Sequence, residues 1–527
     1  MVRFENNIHK YKIIITMKKA IILPLLFSFL LAVSQNIIAI HADQGKTIIN
    51  KNIYGNFAEH LGHGIYGGFY VGDTNKTIPN TDGVRNDVIA ALRKMKIPML
   101  RWPGGCFADT YHWKDGVGPK DKRPKMVNTW WGGVTEDNSF GTHNFLNLCE
   151  DLGAEPYISG NVGSGTVQEL SQWLQYVNFD GVSPMSDWRR QNGRDKPWRV
   201  QYWGLGNEAW GCGGNMTAEY YANVFRRYAT FMTNWIKGGH LYRIASGASD
   251  DDYHWTEVMM RDIPHNLLDG IGLHHYSIID WNNKSSATKF TEQEYFATMK
   301  SALQMEELVT KHSAIMDKYD PGKKIALAVD EWGGWYDVEP GTNPGFLYQQ
   351  NTMRDAMIAG TTLNIFNNHA DRVRMANLAQ TINVLQAVIL TNKEKIILTP
   401  TYHVMEMYNV HQNATLLPLK LTTDDYKVGN EELPSLSASA SKDSEGVVHI
   451  SITNINAHTQ EGITINIDGM NCNKVTGRIL SSAKLQDDNT FEDPDKIEPK
   501  RFTGASLKDN VITLKMPPFS VVVLTLK

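Results

Sequence analysis

The chain has 527 residues, too many for one ordinary core, so two domains are expected. It is 42% hydrophobic and 20% charged with a net charge of −4, a globular composition; without a long basic run it disfavours nucleic acid as a partner. Its 14 Trp and 21 Tyr supply aromatic planes of the kind that stack on sugar rings, although many such residues serve only to fill a core.

The N-terminus reads as a leader. Met17-Lys18-Lys19 is a basic start, Ala20 to Ala32 an apolar run too short for a membrane span, and Ile40-His41-Ala42 a cleavage site. The rival reading is an uncleaved anchor. Residues 1–16 read as an extension upstream of a better start at Met17, and the expected mature chain begins near Asp43 and is exported, to the periplasm or beyond.

From Ile53 onward, apolar runs alternate with amphipathic helical patterns. The expected strands are Ile53–His60, Met99–Gly105, Pro156–Ser159, Tyr202–Glu208, Arg243–Gly247, Ile271–Tyr276, Lys324–Glu331 and Leu363–Phe366. Helices are expected at Val84–Met95, Phe145–Leu152, Val167–Val177, Ala218–Ile236, Glu292–Met316 and Phe346–Ala359. Eight strand–helix units over about 330 residues fit an α/β fold, a (β/α)8 TIM barrel. A doubly wound sheet accounts less simply for polar residues ending nearly every strand.

After about Leu398 the pattern changes to period two, at Val448–Asn454, Gly462–Ile467 and Val511–Lys515, closing on Val521–Leu526. This predicts a C-terminal antiparallel β-sandwich over 399–527, after a barrel over 43–398, with 43–52 a candidate extra strand. Leu480–Arg501 reads as a surface loop. The cysteines Cys106, Cys149, Cys212 and Cys472 show no metal-ligand spacing and demand no disulfide, so free buried thiols are expected.

The strand ends of a barrel hold its chemistry. In order they offer Glu59-His60, Arg101-Trp102, Gly104-Gly105-Cys106, Asn161, Asn207-Glu208, His274 with Tyr276, and Glu331-Trp332. Glu208 and Glu331 each close an apolar strand beside tryptophan, and two carboxyls flanking one bond are the equipment of glycoside hydrolysis. No serine nucleophile elbow and no Walker loop is present. A metal held by Glu59, His274 and Glu331 lacks any supporting motif, so no metal and no cofactor are expected. The plainer readings are that Glu208 is an ion-pair partner of Arg101, that His274 holds a loop, and that Trp102, Trp203 and Trp210 are packing.

Five segments carry a family likeness in one order: Gly55–His60, Arg101–Gly105, Gly206-Asn207-Glu208, Leu273–Tyr276 and Asp330-Glu331-Trp332, with Ala376–Gln380 as a further match. From about Ile48 to its end the chain resembles the α-L-arabinofuranosidases of glycoside hydrolase family 51, retaining barrel enzymes with glutamates on strands four and seven. The resemblance implies Glu208 as acid/base and Glu331 as nucleophile. It implies Asn207 on the sugar 2-hydroxyl, Glu59 and Gln380 on the furanose, His274 and Tyr276 orienting the carboxylates, and Trp335 lining the pocket. Cys106 stands where many members carry Asn. The implied activity is exo-acting release of terminal arabinofuranose from arabinan or hemicellulose side chains by double displacement; the implied partner is such a polysaccharide or oligosaccharide, and family members are often homo-oligomers. The rivals are a retaining β-glycosidase, endoglucanase or xylanase of the same clan, and a non-catalytic carbohydrate-binding protein.

Overall fold

The computed structural model describes residues 36–527. Eight parallel strands close a barrel: Gly55–Phe57, Met99–Trp102, Glu155–Gly160, Tyr202–Leu205, Tyr242–Ser249, Gly270–Ser277, Ala326–Gly334 and Val373–Ala379. Helices between them cover the outside, and their apolar faces pack onto the strands in one core. Met99, Tyr157, Ile244, Ala328 and Met375 fill the lumen towards its N-terminal end, so the barrel is a packed solid.

The eighth strand differs from the expected one. Leu363–Phe366 lies inside a helix, Met353–Asn368, and Val373–Ala379 takes the barrel position. Nearly every residue of that helix is buried, because it lies between the barrel and the C-terminal sheets. A helix covered on all sides has no polar face, so its sequence loses the 3.6-residue period that identifies a surface helix. Its asparagines reach the sheets: Asn364 Nδ2 and Asn367 Nδ2 donate to Ser437 Oγ (3.3 Å) and Ser439 Oγ (3.1 Å).

The C-terminal strands form two sheets, of five and six strands, around one apolar core. The expected start at Asp43 is corrected here. Asn36–His41 is an internal strand of the five-stranded sheet, antiparallel to Leu419–Thr422 and parallel to Glu461–Asp468, with Ile38, Ile40 and Ala42 fully buried. Cleavage after Ala42 would remove it. The alternating Ile-Ala-Ile that reads as the end of a leader is a strand with one face in a core. Met17–Ala32 lies outside the described residues. The boundary at 398 also moves: Pro400–Tyr408 is a helix packed on the barrel helix Met353–Asn368, and the first sheet strand after it begins at Thr415. The segment after Leu480 is no mere surface loop, since Asn489 and Ile497 are buried and Gln350 Nε2 donates to Asn489 O at 3.3 Å.

Candidate active site

Alternation along the sixth strand turns His274 and Tyr276 into the barrel mouth and His275 towards the helices, where it bonds Asp250 Oδ1 (2.6 Å) and Ser301 O (2.9 Å). On the seventh strand the register against both neighbours is irregular, shifting between Gly272 and His274 on one side and between Val329 and Trp332 on the other. The irregularity brings two successive carboxylates, Asp330 and Glu331, to the interior, and such bulges recur beside active sites. Trp332 then faces outward and meets Phe366 edge-on at 5.5 Å.

Glu59, Cys106, Asn207, Glu208, Tyr276, Glu331, Trp335 and Gln380 line one pocket at the C-terminal ends of the strands. His274 lies behind it, with Nδ1 2.9 Å from Glu208 Oε1 and 3.6 Å from Glu331 Oε2. An oxygen of Glu208 and one of Glu331 are within 4.8 Å of each other. Larger hollows lie elsewhere among the described residues, of about 580 Å³ beside Tyr66 and Tyr348, about 480 Å³ by Tyr202 and Arg374, and about 610 Å³ along the outer face of the helix that carries Glu306 and Glu307, but none of them lies at the C-terminal ends of the barrel strands with Glu208 and Glu331.

Glu331 accepts from Arg101 Nη1 (2.8 Å) and Tyr276 OH (2.7 Å). Arg101 thus pairs with Glu331 and not with Glu208, and its Nη2 donates to Asn207 Oδ1 at 2.6 Å. Loss of hydration raises the pKa of Glu208, the hydrogen bond from His274 opposes this, and the Glu331 charge adds to the rise. His274 is pushed up to about 10: burial disfavours its charge but is outweighed by Glu331, Asp330 and Glu208. Glu59 is buried and accepts from Phe107 N (3.1 Å), Trp131 Nε1 (2.9 Å) and Gln380 Nε2 (3.0 Å). Gly105 leaves room for it, since a Cβ there would stand 3.2 Å from Glu59 Oε1 and 3.3 Å from Glu331 Oε1.

Three residues of the site escape the sequence reading. Asp109 accepts from the backbone N–H of Val162, Gly163 and Asn207 at 2.7–2.8 Å and so pins the loop that carries Glu208. Asp330 accepts from Tyr157 OH (2.9 Å) and lies 3.3 Å from His274 Nε2 and 3.9 Å from Arg101 Nε. Trp131 reaches Glu59 from a loop that has no strand-end signature. The expected free thiols are corrected in one pair: Cys106 and Cys212 form a disulfide across the pocket wall, while Cys149 and Cys472 are free and buried. The two cysteines are 106 residues apart, and only folding brings the second and fourth strand ends together.

Among the described residues no helix is long and apolar enough to cross a membrane. Residues 91–295 match the family profile described as "Alpha-L-arabinofuranosidase 1 domain", and residues 330–520 the one described as "Alpha-L-arabinofuranosidase C-terminal domain". A Bacteroides ovatus protein named "Intracellular exo-alpha-L-arabinofuranosidase" is 54% identical over 492 residues, 93% of this chain and 95% of its own. The crystal structure of a GH51 arabinofuranosidase from Xanthomonas axonopodis pv. citri superposes with a TM-score of 0.92 at 49% identity, covering 94% of this chain and 100% of that one. The arabinose complex of an α-L-arabinofuranosidase from Thermotoga maritima gives 0.82 at 30% identity, covering 93% and 99%.

Proposed function

The chain belongs to glycoside hydrolase family 51 and is an α-L-arabinofuranosidase, and from that premise we propose that the pocket removes terminal arabinofuranose from arabinan or hemicellulose side chains by double displacement. One observation carries the mechanism: oxygens of Glu208 and Glu331 lie within 4.8 Å of each other on facing strand ends. Retaining glycosidases hold their carboxyls about 5 Å apart, whereas inverting ones leave a gap of roughly 8 Å for water.

In this reading Glu331 attacks the anomeric carbon. Arg101 and Tyr276 each donate to one of its oxygens, which fixes its direction and favours its charge. Glu208, whose pKa burial raises against the opposing hydrogen bond from His274 and the Glu331 charge raises further, gives its proton to the departing oxygen. Once Glu331 is esterified its charge is gone, the pKa of Glu208 falls, and Glu208 activates the water that releases the sugar with retention. Asn207, held by Arg101, takes the 2-hydroxyl; Glu59 and Gln380 take ring hydroxyls; Trp335 and the Cys106 side line the walls.

Glu331→Ala is expected to lose most of the rate, with azide giving no rescue of retained product. Glu208→Ala keeps far more activity on aryl arabinofuranosides with good leaving groups than on natural glycans; equal losses on both oppose the assignment. Proton NMR of the first-formed arabinose reads the anomer, and inversion overturns double displacement.

The leader-like N-terminus and the Cys106–Cys212 disulfide support an oxidising compartment, against the intracellular name of the Bacteroides ovatus relative. Alkylation in a denaturing quench of whole cells separates the two. Labelling of Cys149 and Cys472 alone supports export, and labelling of all four cysteines supports the cytoplasm.

A further inference from the structure

The Cys106–Cys212 disulfide carries no step of the proposed hydrolysis, yet it touches the residue proposed as the acid/base. Cys212 Sγ lies 3.5 Å from Glu208 Oε2, and Cys106 lines the same pocket. Cys106 lines the pocket and Cys212 is partly exposed, so a small reductant has an approach to the S–S bond. One donor atom from each of Cys106, Glu208 and Cys212 lies within 4.8 Å of the other two. Two thiolates and a carboxylate at that spacing are a ligand set for a thiophilic divalent cation. Zinc–sulfur bonds of about 2.3 Å at a tetrahedral angle put the sulfurs about 3.8 Å apart. Side chains whose Cα atoms are 5.4 Å apart reach that by rotation about Cα–Cβ.

We propose that the reduced Cys106/Cys212 pair and Glu208 form a binding site for a thiophilic divalent cation such as zinc, closed while the disulfide is intact, and that filling it arrests the enzyme. A phosphine reductant supplies two electrons, the S–S bond breaks, each sulfur takes a proton from water, and the phosphine leaves as its oxide. The cation then displaces both thiol protons and draws a lone pair from Glu208. A metal-bound carboxylate cannot carry the proton to the leaving oxygen. The arrest rests on Glu208 being the acid/base; the binding does not.

The full-length protein is prepared oxidised and phosphine-reduced, desalted, and titrated with zinc chloride and separately with cobalt chloride. The reduced form is expected to bind one equivalent and to show thiolate-to-cobalt charge transfer in the near ultraviolet. Its aryl arabinofuranosidase activity falls at a zinc concentration at least about 100-fold lower than the oxidised form needs, because that form lacks both sulfur ligands, and EDTA restores it. Cys212→Ser, compared with itself under both conditions, loses the band and the redox dependence. Equal zinc sensitivity of both forms places the metal on Glu208, His274 and Glu331, whose donor atoms also lie within 4.8 Å of one another, and overturns the proposal. A cobalt band that survives replacement of both Cys106 and Cys212 by serine belongs to Cys149 or Cys472 and overturns it too. A band with undiminished activity removes Glu208 from the ligand set and overturns the arrest.

Discussion

Buried beside Glu331, the Glu59 carboxyl is pushed up to about 7, first by loss of hydration and then by the neighbouring negative charge. An unfolded glutamate titrates near about 4.3. Between those values the folded protein keeps a proton that the unfolded chain releases, so stability falls as pH rises through that window. Glu59→Gln removes the cost: relative to the parent, its unfolding free energy is expected to rise by about 3–4 kcal/mol at pH 8 and by only about 1 kcal/mol at pH 5. Gln380 Oε1, which has no partner, would gain an amide donor. Denaturant midpoints at the two pH values check this, and an equal change at both would refute it. Asp330 presents the opposite case. Burial disfavours its charge, but Arg101, His274 and Tyr157 hold its pKa below the usual carboxylate value. Through those partners one carboxylate orients Glu331, Asn207 and Glu208. Asp330→Asn leaves Arg101 and His274 short of a counter-charge, and is expected to cost about 3–5 kcal/mol of stability. It should also lower kcat more than it raises KM. An unchanged urea midpoint and rate would remove Asp330 from the network.

The loop after the fourth strand holds its shape through backbone conformations that few residues accept. Gly206 has φ +81° and Glu208 φ +41°. A Cβ on Gly206 would meet Val162 Cγ2 at 2.4 Å, so strain and collision add at one position. Gly206→Ala is expected to cost about 1–3 kcal/mol and, by displacing Asn207 and Glu208, to lower activity at least tenfold; an active variant of unchanged melting temperature would contradict this. Glu208 itself sits in left-handed backbone at the candidate reaction centre, where such strain concentrates. The irregular register of the seventh strand works at the same scale. In an evenly paired strand Asp330 and Glu331 would face opposite sides.

The barrel and the two-sheet domain share the helix Met353–Asn368, and the two-sheet domain draws a strand from before the barrel. A chain beginning at Asn36 is therefore expected to fold, while one beginning at Asp43 loses an internal strand and melts earlier or aggregates. Ile38→Ala, a single lesion in the same strand, should cost about 2–5 kcal/mol; equal melting temperatures for the two truncations would refute the role of the strand. Much of this architecture is legible in the residues alone. Short apolar runs ending in polar groups announce a barrel, because hydrophobic burial and strand polarity act locally and leave their period in the sequence. The order of Glu59, Asn207-Glu208, His274, Tyr276 and Glu331 also stands in the chain, since each needs only its own strand end. What the linear sequence could not settle depends on neighbours far away in it. Cys106 meets Cys212 only when the barrel closes. Asp330 turns inward only through pairing with the flanking strands. Met353–Asn368 hides its helical period because two domains bury it, and Asn36–His41 becomes a strand only where Leu419–Thr422 and Glu461–Asp468 flank it. Local chemistry decided which groups the site owns; long-range packing decided which of them touch.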